Sequence, residues 1–271
     1  MPVINTNTNA QYAQDAIKVN AKAMGNVMQQ LATGSRINAA KDDAAGLSLG
    51  QNMTSQVRGL NQAVRNVNDG INQLQTADGA LVETSNMLQR MRELAVQSAN
   101  STNSDKQREY LNSEYVSLQV EITRIASNTV WNQAGLFGVS LVYQAGMSSG
   151  QTISINLVSM DAGSLGVSAS VTTISTFAKS QSALGLIDSA VEIVNAARST
   201  MGAVMNQLSY SADNMVNIST NIAASRSTIM DTDYATASAQ LAKNQIISQA
   251  ATAMLAQANQ QPQSVLSLLK G

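Results

Sequence analysis

The chain has 271 residues, 44% of them hydrophobic and only 12% charged, and its sixteen basic and seventeen acidic side chains leave a net charge of -1. So balanced a charge excludes charge-driven disorder and offers no field to attract nucleic acid or an anionic membrane. Cysteine and histidine are both absent, which excludes disulfides, thiol nucleophiles, imidazole bases and Cys/His zinc sites. Thirteen methionines outnumber the one Trp, six Tyr and two Phe together, so the interior must be built from small aliphatic and flexible side chains. No cofactor and no enzymatic activity are expected.

Pro2 and Pro262 are the only prolines, and everything between them is free to form long helices. Ala13, Ile17, Asn20, Met24, Val27 and Leu31 alternate steps of four and three and mark one face of a first helix, with Gly34 placed to end it. A longer stripe follows through Val57, Leu60, Val64, Val67, Ile71, Leu74, Asp78, Leu81, Ser85 and Leu88, extended by Met91 and Ala95. That spacing predicts a coiled-coil seam. Gly59, Gly70 and Gly79 interrupt it, and each lowers helix propensity by up to about 1 kcal/mol. Close approach by another helix or another subunit is the expected reason for them.

Ser104 and Gln107 form a capping-box signature for a third helix, whose buried face is expected at Leu111, Tyr115, Leu118, Ile122 and Ile125. From Ile125 through Met160 charges vanish and Gly and Ser become frequent. Ile153, Ile155 and Leu157 alternate with polar residues, which predicts a short β-hairpin looping at Gly146 to Gly150. Helical spacing returns from Ile187 to Ile229. Asp231 or Thr232 is expected to cap a last helix that carries Ile247, Ala250, Ala251, Met254, Leu255 and Ala258, with Asn259 and Pro262 expected to stop it.

The order of elements is a palindrome: short arm, long rod, helix with hairpin, long rod, short arm. The expected fold class is therefore mainly α, an elongated antiparallel helical bundle or coiled-coil rod with a small β-hairpin region at one end and paired terminal helical arms at the other. Each arm has an apolar face and little local protein to cover it, so frayed arms that order against neighbouring copies are expected in the monomer. No run reaches the roughly 18 to 20 apolar residues of a membrane span, and the first thirty residues carry no pattern of a cleaved export signal.

Four stretches carry a family resemblance. Leu31-Ala32-Thr33-Gly34-Ser35-Arg36-Ile37-Asn38-Ala39-Ala40-Lys41-Asp42-Asp43-Ala44-Ala45-Gly46 resembles the N-terminal signature of bacterial flagellins, and Gln89-Arg90-Met91-Arg92-Glu93-Leu94-Ala95-Val96-Gln97-Ser98-Ala99-Asn100 resembles their rod motif. Ile229-Met230-Asp231-Thr232-Asp233-Tyr234-Ala235 and the stretch from Gln257 to Leu269 are similar to their C-terminal arm. The resemblance implies a filament subunit exported through the flagellar type III apparatus and assembled at the tip under a cap. Residues 1–46 with 230–271 would form the inner core, and 47–229 the rod, with a hairpin region at about 139–177 standing where other members carry variable outer domains. The polymerisation arms would act through Ile17, Met24, Val27, Leu31, Ile247, Met254 and Leu255.

The same resemblance implies partners: further copies in a homopolymer, an export chaperone, the filament cap, hook-associated proteins and host flagellin-sensing receptors. Gln89, Arg90, Glu93, Leu94 and Glu121 match positions contacted by the Toll-like receptor. Val265, Leu266, Leu268 and Leu269 match the tail read by NAIP-type receptors, and core packing in the filament is their primary role. A hook–filament junction protein is the alternative, and an enzyme a remoter one. Lys41, Asp42 and Asp43 are expected to shape a turn and not to bind metal, because two carboxylates lack further spaced oxygen ligands. Met201, Met205 and Met215 are read as core. Ser148, Ser149, Thr172 and Thr173 are open to O-linked glycans or to ordinary loop polarity.

Overall fold

The computed structural model describes residues 6–270, with side chains described through residue 260. Its helices are α1 (Thr8–Thr33), α2 (Ala44–Ser98), α3 (Asp105–Asn128), α4 (Phe177–Met230) and α5 (Tyr234–Lys270). Between α3 and α4 lie the strands β1 (Val130–Trp131), β2 (Ala134–Gly135), β3 (Val139–Gln144) and β4 (Thr152–Leu157). The fold is mainly α. Two compact units are formed, one by residues up to Ser55 with those from Asn221 onward, the other by Gln56–Thr220.

In the first unit, α1 begins where the Asn7 side chain accepts the Ala10 N–H and ends at Gly34, whose φ of 71° is left-handed and whose N–H reaches the Gln30 carbonyl. Ser35 bridges antiparallel to Asp231, with Arg36 N–H donating to the Met230 carbonyl and Thr232 N–H to the Gly34 carbonyl. That short bridge occupies the two residues expected to cap the last helix. Asp233 caps it instead: its Oδ1 accepts the Ala235 N–H at 2.9 Å and its Oδ2 the Thr236 hydroxyl at 2.6 Å.

Helices α1 and α5 pack with Cα atoms within 8 Å of each other, a closeness allowed by Ala10, Ala237 and other small residues at the contact. The sequence reading is corrected at the far end of α5, which runs through Pro262 to Lys270. A proline there removes the N–H that would bond the Ala258 carbonyl. The Asn7 amide supplies a donor to that carbonyl at 2.8 Å, so the helix can continue without leaving it unsatisfied.

In the second unit, Leu60, Val67, Leu74, Leu81 and Leu88 of α2 recur every seven residues and are buried, as are Ile187, Val194, Met201, Leu208 and Met215 of α4. Each fully buried leucine contributes roughly 2 kcal/mol. The seam holds a half-buried ion pair, Asp78 Oδ1 to Arg198 Nε at 2.7 Å. A second buried row runs through Ala63, Gly70, Ala77, Thr84, Met91 and Ser98, of which the coiled-coil spacing marked Met91 alone. The ring of Tyr143 from β3 lies where a Cβ on Gly70 would sit, 2.7 Å away, and Met147 lies 3.2 Å from the same position on Gly59. The hairpin, not another helix or subunit, therefore explains these two glycines. Nothing lies within 4 Å of Gly79.

Helix α3 carries the expected capping box at Ser104 and Gln107. Its buried face is more polar than the spacing suggested, with Arg108 and Gln119 beside Tyr115 and Ile122. Arg108 donates to the carbonyls of Asn100 and Asn103 in the turn between α2 and α3. Gln119 Nε2 donates to the Thr172 carbonyl and hydroxyl. Ser98 and Ser180 both donate to the Ile174 carbonyl, and Asn112 accepts the Ile174 N–H. These bonds satisfy the main chain of an irregular segment that buries Met160, Leu165, Val167 and Ile174. The β3–β4 hairpin pairs Val139 with Leu157 through Gln144 with Thr152. The shorter β1–β2 hairpin was not anticipated, since its turn uses Asn132 and Gln133 at φ of 47° and 68° where glycine would have signalled it.

Candidate functional site: an uncovered apolar face on the paired arms

Heptad spacing along α5 splits the expected arm residues into two groups. Ala237, Asn244, Ala251 and Ala258 turn toward α1 together with the half-buried Leu255, while Ile17, Met24 and Leu31 are half-buried and Val27 buried on the facing side of α1. Ile246, Ile247 and Met254 project away, with Met254 65% exposed. Tyr12 (76% exposed), Val19 and Met28 of α1 project likewise. A groove of about 550 Å³ runs between the helices, lined by Asn9, Tyr12, Ala13, Ala16, Ala251, Met254, Gln257 and Ala258. This much exposed apolar surface on two helices marks an interaction site.

Polar side chains fix the pairing of the arms. Asn20 Nδ2 donates to the Asn244 carbonyl at 2.8 Å in a buried contact, and Tyr234 hydroxyl donates to the Leu31 carbonyl at 2.6 Å. Together with Asn7 and Ala258, the three pairs have residue numbers summing to nearly one value, as an antiparallel register requires. Arg36 closes the junction by donating from Nη2 to the Ile229 carbonyl at 2.8 Å, a cation placed against the C-terminal end of α4.

Lys41, Asp42 and Asp43 do shape a turn. Asp42 Oδ2 accepts the N–H groups of Asn38 and Ala39, and Asp43 Oδ1 accepts the Gly46 N–H at the first turn of α2. Met201 and Met215 are buried in the seam and Met205 is half-buried.

In the second unit, Gln89, Arg90 and Glu93 are exposed on α2 and Glu121 is half-buried on α3. Arg90 Nε bonds Glu114 at 2.9 Å and its Nη1 bonds Glu93 at 2.9 Å, which raises the guanidinium pKa further. Glu121 is paired with Arg124 at 2.7 Å, and that bond lowers its carboxyl below the usual range. Leu94 corrects the sequence reading: only 1% exposed, it is a core residue and not a surface contact. Thr172 is buried too and holds Gln119, which leaves it no room for a glycan, whereas Ser148 and Ser149 are exposed. Val265, Leu266, Leu268 and Leu269 lie in the last turns of α5, outside the residues whose side chains are described.

Residues 4–140 match the bacterial flagellin N-terminal helical region and residues 184–269 the bacterial flagellin C-terminal helical region. The chain belongs to the bacterial flagellin family. Its sequence is 41% identical to a flagellin of Halalkalibacterium halodurans over 99% of this chain and 100% of that one. It is 37% identical to a flagellin of Bacillus subtilis over 98% and 99% of the two chains. A flagellar filament 33 kDa core protein of Treponema phagedenis is 38% identical over 99% of this chain and the whole of the other. A crystal structure of Bacillus cereus flagellin matches with a TM-score of 0.51 and 32% identity, covering 60% of this chain and 94% of that one. As a flagellin the protein is a structural subunit of a bacterial flagellar filament, and its exposed arm residues are to be understood in that setting.

Proposed function

We propose that this flagellin polymerises through the uncovered face of its arms, with Tyr12, Val19, Ile247 and Met254 meeting the same face of neighbouring copies. The observation that carries the reading is that these side chains are exposed in the single chain although they lie on helices whose other face is packed. Ile17, Met24, Val27, Leu31 and Leu255 act one level earlier, holding α1 to α5. Burial of the exposed set drives growth at roughly 25 cal/mol per Å², against the entropy of ordering the arms. The arms would form the inner layer of a helical tube that transmits torque for motility, and the second unit the outer layer. Catalysis forms no part of this role.

Export through the flagellar type III apparatus with a chaperone, growth under a cap beyond hook-associated proteins, and an extracellular location complete the proposal. A hook–filament junction protein remains the alternative. A structure described as that of a flagellar hook-associated protein of Vibrio parahaemolyticus has a TM-score of 0.59 over 70% of this chain, but at 16% identity it speaks for the fold alone. Identity along the full length to flagellins favours the filament subunit. Val265, Leu266, Leu268 and Leu269 are assigned to the filament core and, in free monomer, to NAIP-type receptors. Gln89, Arg90, Glu93 and Glu121 would form the patch met by a Toll-like receptor.

The test is seeded growth of purified monomer imaged by electron microscopy. Met254→Glu and Ile247→Glu should abolish long tubes while leaving the helical circular dichroism of the monomer unchanged. Normal tubes from either variant would refute the assigned surface. Arg90→Asp should abolish receptor-reporter activation by monomer, and an inactive parent protein would refute that part alone.

A further inference from the structure

The seam between α2 and α4 does not by itself define how the two helices are aligned. Buried residues recur every seven positions on both: Leu60, Val67, Leu74, Leu81 and Leu88 on one, Ile187, Val194, Met201, Leu208 and Met215 on the other. Sliding one helix by a heptad, roughly 10 Å along the axis, would again set large aliphatic side chains against large aliphatic side chains. The apolar burial would change little. A regular seam of this kind needs a non-repeating feature to select one register.

Asp78 and Arg198 are such a feature. Each stands one turn beyond a buried heptad residue, Leu74 and Val194, and each is charged where the adjacent heptads carry apolar or neutral residues, Ile71 and Ser85 on α2 and Val191 and Met205 on α4. Their side chains are 31% and 36% exposed and meet at 2.7 Å. Shifting α4 by seven residues in either direction would bring Val191 or Met205 opposite Asp78, and Ile71 or Ser85 opposite Arg198. Two half-buried charges would then lack partners, which costs more than their pairing gains. The other polar links are weaker discriminators, including the buried but neutral hydrogen bond from Ser180 to Ser98 at 3.0 Å. Arg92 and Asp188 pair at 2.8 Å but are 52% and 55% exposed, and Ser219 to Asn61 is a neutral hydrogen bond at 3.0 Å.

We infer that the Asp78–Arg198 pair is the register lock of the α2–α4 pairing, a device for alignment and not for stability. Its consequence for assembly rests on the filament role proposed above. A chain slipped by a heptad would present the outer side chains of α4 displaced along α2, and a polymer of identical copies cannot accept such a subunit.

Because the chain contains no cysteine, register can be read by cross-linking engineered cysteines with a short dithiol-reactive reagent. Arg92→Cys with Asp188→Cys reports the observed alignment, and Arg92→Cys with Asn195→Cys reports the shifted one. In the parent background the first pair should react about tenfold faster than the second. In an Asp78→Leu, Arg198→Leu background the two rates should converge to within about threefold, since the pair's selectivity is gone while burial is kept. The exchanged pair, Asp78→Arg with Arg198→Asp, should restore the preference. An undiminished tenfold preference in the double-leucine background would overturn the inference, and so would loss of its helical circular dichroism, because a register lock is dispensable for packing. Seeded growth should fall about tenfold in the double-leucine protein and recover in the exchanged one. If cross-linking converges while growth stays normal, the lock stands and its link to assembly falls.

Discussion

Asn7 and Ala258 are joined by a 2.8 Å hydrogen bond from the Asn7 side-chain amide to the Ala258 carbonyl. The same side chain accepts the Ala10 N–H at 3.1 Å and so begins α1. One residue thus caps one helix and satisfies the carbonyl that Pro262 leaves without an intrahelical donor in the other. Asn7→Asp keeps the cap and removes the donor, and should destabilise the arms by about 1 kcal/mol. The loss should shrink in a Pro262→Ala background, where the helix supplies its own N–H to Ala258. Thermal unfolding of the four proteins in a double-mutant cycle measures the coupling, and additive losses would contradict it.

Glycines on α2 should respond with opposite signs. Gly70→Ala adds a methyl where the Tyr143 ring already sits, and that ring is tethered through its hydroxyl to Gln73 at 3.1 Å. The crowding should outweigh the helix-propensity gain and destabilise the monomer by about 1 kcal/mol. Gly79→Ala meets open space and should stabilise it by about 1 kcal/mol. Urea unfolding of both variants reads the contrast.

The β1–β2 turn stores strain in Gln133, a non-glycine residue at φ of 68°. Left-handed geometry costs such a residue about 1–2 kcal/mol, while glycine loses about 0.5–1 kcal/mol more entropy on folding. Gln133→Gly should therefore stabilise the protein by about 0.5 kcal/mol. A fall in the denaturation midpoint would show that the turn is not strained.

Acid should loosen the segment after the β3–β4 hairpin. Asp161 accepts hydrogen bonds from the hydroxyls of Ser159 and Ser164 and from the N–H groups of Gly163 and Ser164, which hold its carboxyl at about 2. Since the folded value lies below the ordinary carboxylate value, the contribution is complete above about pH 4 and is lost as pH falls toward 2. Asp161→Asn should flatten the stability–pH curve in that window and leave its shape above pH 5 unchanged. A parallel curve would contradict the assignment.

Much of this protein is local chemistry. The absence of interior proline, the three-and-four spacing of apolar residues, the Ser104–Gln107 box and the alternation through Ile153, Ile155 and Leu157 each act within a few residues, so they are readable in one dimension. Burial is different, because it depends on which elements arrive on which face. The family resemblance placed Leu94 among the receptor-matching residues, but packing put it in the core. A proline argued for a helix end at 262, until a side chain 255 positions earlier in the sequence answered the exposed carbonyl. The sequence alone determined the existence of the helices, the Ser104–Gln107 cap and the family. Tertiary structure decided what Gly70 makes room for, which faces of the arms stay uncovered and which acid meets Arg198, because each is a distance between residues far apart along the chain.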